Sequence, residues 1–135
     1  MKKYSDAKAL KKVIEELLKK HKCAEQFRRS TDFELEIVVE DIWTPLTIYK
    51  NGSSTVVIGH YISIDQDNFI SDPEIVFSVK RDGSWVPTML TTVLGNVHPV
   101  QSKEDLNTVI GYSNQWAKNL VTKKYTKGKA ILKAS

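Results

Sequence analysis

The chain has 135 residues, 41% apolar and 27% charged, with a formal net charge of +4. Those values describe one globular domain, large enough to bury a core without disulfides or metal. A single cysteine, Cys23, excludes an internal disulfide and a cysteine-based zinc site and points to a reduced, cytoplasmic setting.

No apolar run approaches the roughly 20 residues of a membrane span. Met1-Lys2-Lys3 has the charge of a signal-peptide start, but no apolar stretch follows it. Charge is unevenly spread along the chain. Residues 1–31 hold ten Lys/Arg and four acids, residues 32–74 nine acids and one lysine, and residues 106–135 six lysines and no acid. A self-complementary chain, a surface for a basic partner and ordinary solvated faces all fit that layout.

Ser5 is placed to cap a first helix, with Asp6 in the first turn where the helix dipole favours negative charge. Ala7, Leu10, Val13, Ile14, Leu17 and Leu18 follow at helical spacing, with lysines opposite, and the pattern fades near His21-Lys22. Segment 23–31, with Phe27 its only large apolar anchor, reads as a connector. Phe33, Leu35, Ile37 and Val39 alternate with an acidic face, which predicts a half-buried strand.

A second strand runs from Leu46 to Tyr49 after Pro45. Residues 50–54 form a hairpin link, and a loop of three or five residues places Val56, Ile58 and His60 on the core face. A long polar link then leads to Asp72-Pro73-Glu74, which opens the strand of Ile75, Phe77 and Val79. In that reading Asp72 accepts a backbone hydrogen bond that closes the link. A two-residue Asp82-Gly83 turn pairs Val79 with Val86, Phe77 with Thr88 and Ile75 with Leu90.

Residues 93–98 make a short last strand that ends at Pro99. Ser102, with Asp105, opens a final helix buried through Leu106, Val109, Ile110, Trp116, Ala117, Leu120 and Val121. Gly111 inside that helix suggests a close neighbour. The expected fold is therefore α+β: an N-terminal helix, an antiparallel meander of about six strands and a C-terminal helix, in two layers. Residues 1–126 form the domain, and 127–135 a mobile basic tail that folding can do without unless Ile131-Leu132 docks.

One stretch gathers titratable groups of different chemistry beside the sheet centre. His60, Asp72 and Glu74 could serve a divalent metal or a general base, since Asp72 and Glu74, two apart, point to one side of an extended chain. The plainer reading makes Asp72 a turn-former, Glu74 an outer-face residue and His60 a satisfied core histidine. The run from Asp65 fails as a calcium loop, because Ile70 stands where glycine is needed and Val76 where the closing glutamate belongs. No phosphate-binding glycine loop, dinucleotide fingerprint, zinc-protease or serine-hydrolase motif occurs, so no cofactor or metal is implied. Tyr49, Tyr61, Trp85 and Tyr112 could stack bases beside lysines, but fit core and hairpin packing better.

Pro45-Leu46, Gly59-His60-Tyr61, Asp72-Pro73-Glu74 with Phe77, Trp85 with Pro87, Leu94-Gly95 and Trp116-Ala117-Lys118-Asn119-Leu120 occur in one order. That order resembles an uncharacterised domain family, a domain of unknown function found in bacterial plasmids, conjugative elements and phages. The resemblance spans roughly 42–125. It departs at Asp65-Gln66-Asp67-Asn68, where a polar-Gly-Asp turn is usual, and at Lys124-Tyr125, where Gly-aromatic is usual. It implies an accessory protein of a mobile element and supplies no mechanism.

The residues favour a non-catalytic accessory or binding domain that meets another protein. The alternative is a weak, sequence-independent nucleic-acid binder using its basic ends, with Lys118, Lys123, Lys124, Lys127, Lys129 and Lys133 as candidate phosphate contacts. A metal-dependent enzyme at His60, Asp72 and Glu74 comes third. The pattern indicates no oligomeric state.

Overall fold

The structure, a computed structural model, describes residues 5–40, 44–92 and 96–134. It is an α+β fold in which three helices accompany a seven-stranded antiparallel sheet. In chain order the elements are α1 (Lys8–Lys20), α2 (Ala24–Arg29), β1 (Asp32–Val38), β2 (Leu46–Asn51), β3 (Thr55–Ser63), β4 (Phe69–Val79), β5 (Trp85–Thr91), β6 (Val97–Pro99), α3 (Lys103–Thr122) and β7 (Lys129–Ala134). A single 3-10 turn, Tyr125–Lys127, connects α3 to β7. The strands lie in the order β6-β5-β4-β3-β2-β1-β7.

The meander accounts for six strands; the seventh is the basic tail. Residues 129–134 pair antiparallel with β1, Leu132 opposite Leu35 and Ala130 opposite Ile37. The expectation of a mobile tail gives way, because β1 would otherwise leave a row of unpaired backbone groups along its edge. The acidic outer face of β1 also receives a counter-charge, with Lys133 Nζ 3.5 Å from Glu36 and 4.0 Å from Glu34. Part of the charge asymmetry is thus self-complementary.

The core face of the sheet falls into three cross-strand rows. Phe33, Lys50, Val56, Phe77 and Pro87 form one, and Leu35, Ile48, Ile58, Ile75 and Leu90 the second. Ile37, Leu46 and His60 form the third. Apart from Pro87, the apolar members of these rows join Leu10, Ile14, Leu17 and Leu18 of α1 and Val109, Trp116, Ala117 and Leu120 of α3 in one buried cluster. The β2–β3 loop is three residues long, so Val56, Ile58 and His60 face the core as the apolar pattern requires.

Several local expectations are corrected. Helix α1 begins at Lys8, and neither Ser5 nor Asp6 caps it; the Ala7 N–H is taken instead by the Trp85 carbonyl at 2.8 Å. Segment 24–29 is a short helix rather than a connector. It is pinned from below by Lys50, whose ammonium donates to the Phe27 and Arg28 carbonyls at 2.8 and 3.1 Å, where a helix C-terminus favours a cation.

The β4–β5 turn is longer than two residues, with Lys80 N–H bonded to the Ser84 carbonyl and Asp82 accepting from the Ser84 N–H and hydroxyl. Val79 therefore pairs with Trp85 and Phe77 with Pro87, and it is Trp85, not Val86, that shares the buried face of Phe77. A register shift between Val76 and Phe77 restores the expected Ile75–Leu90 pair.

Pro99 lies within β6, and the part of the expected last strand at 93–95 falls outside the described residues. On α3, Ser102 accepts from the Asp105 N–H and Asp105 accepts from the Gln101 N–H, closing the expected cap. Val121 is exposed rather than part of the buried stripe, and a Cβ at Gly111 would meet nothing within 4 Å, so no close neighbour explains that glycine.

Candidate binding groove at the root of the β3–β4 arm

Strand β3 pairs with β2 only as far as His60, and β4 pairs with β5 only from Glu74. Residues 61–71 therefore leave the sheet as a two-stranded arm, with Tyr61 opposite Ser71, Ile62 opposite Ile70 and Ser63 opposite Phe69. The tip is closed by Asp65, whose carboxylate accepts from the Asp67 and Asn68 N–H groups and from the Asn68 amide. The long polar link of the sequence is in truth this arm. It carries Ile64 and Phe69 with 61% and 64% of their surfaces exposed.

At the root of the arm the register shifts. Gly59 pairs with Glu74 and Tyr61 with Ser71, so Asp72 and Pro73 together stand opposite His60. The Asp72-Pro73 peptide is cis and lies inside β4, not at the start of a strand. The shift separates the residues that simple alternation would align. Asp72 turns to the face that α3 covers, where it lines a groove with His60. Glu74 faces the opposite side of the sheet and accepts the Tyr61 hydroxyl at 2.5 Å.

The Tyr61 ring lies over Gly59, where a Cβ would come within 2.7 Å of it. Burial beside this carboxylate pushes the Tyr61 phenol well above its ordinary range. Phe69 meets the Tyr61 ring edge-on at 5.5 Å. The candidate convergence of His60, Asp72 and Glu74 therefore does not form, as the plainer reading of these residues has it. Among the described residues no three His, Cys, Asp or Glu side chains gather to hold a metal ion.

His60 is 5% exposed and both ring nitrogens are engaged. Trp116 Nε1–H, which can only donate, points at His60 Nε2 at 3.0 Å. Nε2 must then be the acceptor, and Nδ1–H donates to the Pro45 carbonyl at 3.1 Å. The imidazole is held in one neutral tautomer. Burial lowers its pKa, aided by the Lys123 charge and opposed by the Pro45 bond and the Asp72 charge. Tyr125 packs beside it, with ring centroids 5.7 Å apart and its own hydroxyl donated to the Thr44 carbonyl at 2.8 Å.

Above this floor lies a groove of about 400 Å³ between α3 and the β3–β4 root. Tyr112, Gln115 and Asn119 of α3, with Lys123 that caps its C-terminus, line one wall, and Thr44, Asp72 and Pro73 the other. Among the described residues the Asp72 carboxylate accepts no hydrogen bond and joins no ion pair, so the expected bond to the backbone is absent. Its charge instead reaches the phenol of Tyr112, whose pKa is raised by burial and then by Asp72. Of this wall the sequence reading singled out Tyr112 and Lys123 separately and missed Gln115. The signal was the spacing 112, 115, 119, 123, one polar line beside the apolar stripe of α3.

The six lysines of the phosphate-binding alternative do not share one place. Lys123 lines this groove, Lys118 lines a second groove between α1 and α3, and Lys133 is paired with β1. Lys124, Lys127 and Lys129 are exposed. No described helix is long and apolar enough to cross a membrane. No protein-family model, curated protein or solved structure matches this chain.

Proposed function

We propose that this chain is a non-catalytic binding module that meets a protein partner through the β3–β4 arm and the groove at its root. The observation that carries the reading is the arm itself. It leaves the sheet at His60 and holds Ile64 and Phe69 in solvent, apolar surface whose burial against a partner would be favourable. The locked, neutral His60 supports a structural role for the histidine over general-base or metal chemistry. A cytoplasmic accessory protein of a mobile element, as the sequence resemblance implies, suits such a module, and a buried reduced Cys23 agrees with it.

A photo-reactive residue in place of Phe69, with one in place of exposed Thr88 as control, tests the reading in cells that make the protein. The expected result is one protein cross-linked from position 69 and none from position 88. Equal or absent cross-linking at both positions would sink it. The nucleic-acid alternative draws on the lysines from Lys118 onward. It predicts retention on duplex DNA that falls with salt at a log–log slope of about −4 to −5, against no retention at about 0.15 M salt for the protein-binding module.

A further inference from the structure

The groove has a polarity that the arm alone does not explain. Asp72 stands at the wall facing Tyr112 and carries a negative charge with no ion-pair partner among the described residues. Lys123 ends the opposite wall and carries a positive one that likewise has no ion-pair partner among the described residues. The two act on His60 in opposite senses, so both charges face the same floor without joining in an ion pair. A groove of that kind is complementary to a ligand carrying two opposite charges in a fixed order.

Between those charges lie two carboxamides. Gln115 and Asn119 are exposed and touch each other only at 3.5 Å, which leaves most of their donors and acceptors open. A carboxamide offers the same donor and acceptor pair as a peptide group. Residues four apart on a helix lie about 6 Å apart along its axis. An extended chain repeats every two residues at about 6.7 Å. The rail of Gln115 and Asn119 on α3 and of Lys123 at its C-cap thus nearly matches the repeat of a strand laid alongside it. From Tyr112 to Lys123 the helix advances about 16 Å, the length of about five extended residues.

We propose that the groove holds an extended peptide segment of the partner, laid along α3, with a basic side chain at Asp72 and an acidic group at Lys123. Gln115 and Asn119 bond its backbone, and Tyr112 covers the basic side chain. The basic and acidic groups of the segment stand about three to four residues apart. This inference rests on the protein-binding reading above and names what the partner must present.

The test uses the whole chain, labelled for NMR, and the peptide acetyl-Arg-Ala-Val-Ala-Glu-amide. The comparison peptide has Gln at both ends, and free arginine is the small-molecule control. The Trp116 indole N–H, bonded to His60 beneath the groove, and the Gln115 and Asn119 side-chain amides report binding. The charged peptide should shift these signals saturably, at least tenfold more tightly than the blanked peptide or free arginine. Asp72→Asn and Lys123→Gln should each weaken it at least fivefold, while Lys118→Gln, outside this groove, should not.

Absence of a saturable shift, equal binding of the blanked peptide, or equal binding of free arginine would overturn the proposal. Cross-linking from position 69 that persists alongside any of those results would leave the protein-binding reading standing with the partner held by the arm alone. Loss of both would remove the two together.

Discussion

The two ends of the core face are built from aromatic rings, yet they behave differently. At one end Phe27, Phe33, Phe77 and Trp85 close on one another, with Phe77 and Trp85 centroids 5.4 Å apart and Phe27 and Phe33 5.2 Å apart edge to face. Lys50 lies among them, 5.2 Å from the Phe27 ring, while its ammonium serves the end of α2. At the other end His60, Trp116 and Tyr125 meet through directed hydrogen bonds, and the sheet beside them opens into an arm and a groove. Non-directional burial seals the first end. At the second, a register shift exchanges a continued strand for a wall that carries Asp72. The contrast separates two kinds of surface: one end where contacts are apolar and closed, and one where the charges of Asp72 and Lys123 have no partner among the described residues, which is where the proposed binding is placed.

The largest test of that contrast falls on the closed end. Phe77 is fully buried, and Phe77→Ala removes a ring that packs on Trp85. Such a truncation should cost about 3–5 kcal/mol by chemical denaturation. A loss below about 1 kcal/mol would mean that this end is not the sealed core described.

An intermediate effect belongs to the histidine of the open end. Burial, chiefly, holds the folded-state pKa of His60 below its ordinary value of about 6.5. Above that pH both folded and unfolded chains keep it neutral, and the Trp116 and Pro45 bonds are intact. As pH falls through 6.5, the unfolded chain takes up a proton that the folded chain resists, so stability declines toward acid. Melting temperature should therefore drop from pH 7 to 5.5 in the wild type and drop less in His60→Gln. An equal slope in both would assign the acid sensitivity to other groups.

The same contrast decides what the sequence made legible. Alternation at Phe33, Leu35 and Ile37, at Val56, Ile58 and His60, and at Ile75 and Phe77 identified the buried face, because a period of two follows directly from strand geometry. Even the place of His60 on that face was readable. Helix α2 was not, since six residues with one large apolar side chain carry too little periodicity. Strand β7 was hidden because lysines flank Ile131 and Leu132, and only pairing with β1 gives those residues a place. The groove was least legible. Its geometry depends on two residues, Asp72 and Pro73, standing against one, and no local pattern announces a shift that separates Asp72 from Glu74.

The smallest stability effect is expected at Asp72, the residue on which the proposed binding most depends. A carboxylate that closed a turn would make Asp72→Ala cost about 1 kcal/mol, the net worth of one such bond. Here the Asp72 carboxylate lines the groove and takes no hydrogen bond among the described residues, so its removal leaves no donor unpaired. Asp72→Ala and Asp72→Asn should both stay within about 0.5 kcal/mol of wild type, the range of substitutions that touch no structural contact. Denaturant midpoints of the two variants, measured beside the peptide titration, separate the roles. A cost of 1 kcal/mol or more in Asp72→Ala that Asp72→Asn restores would return the residue to the backbone and take from the groove its negative end. Unchanged midpoints with binding lost in both variants would assign Asp72 to the ligand.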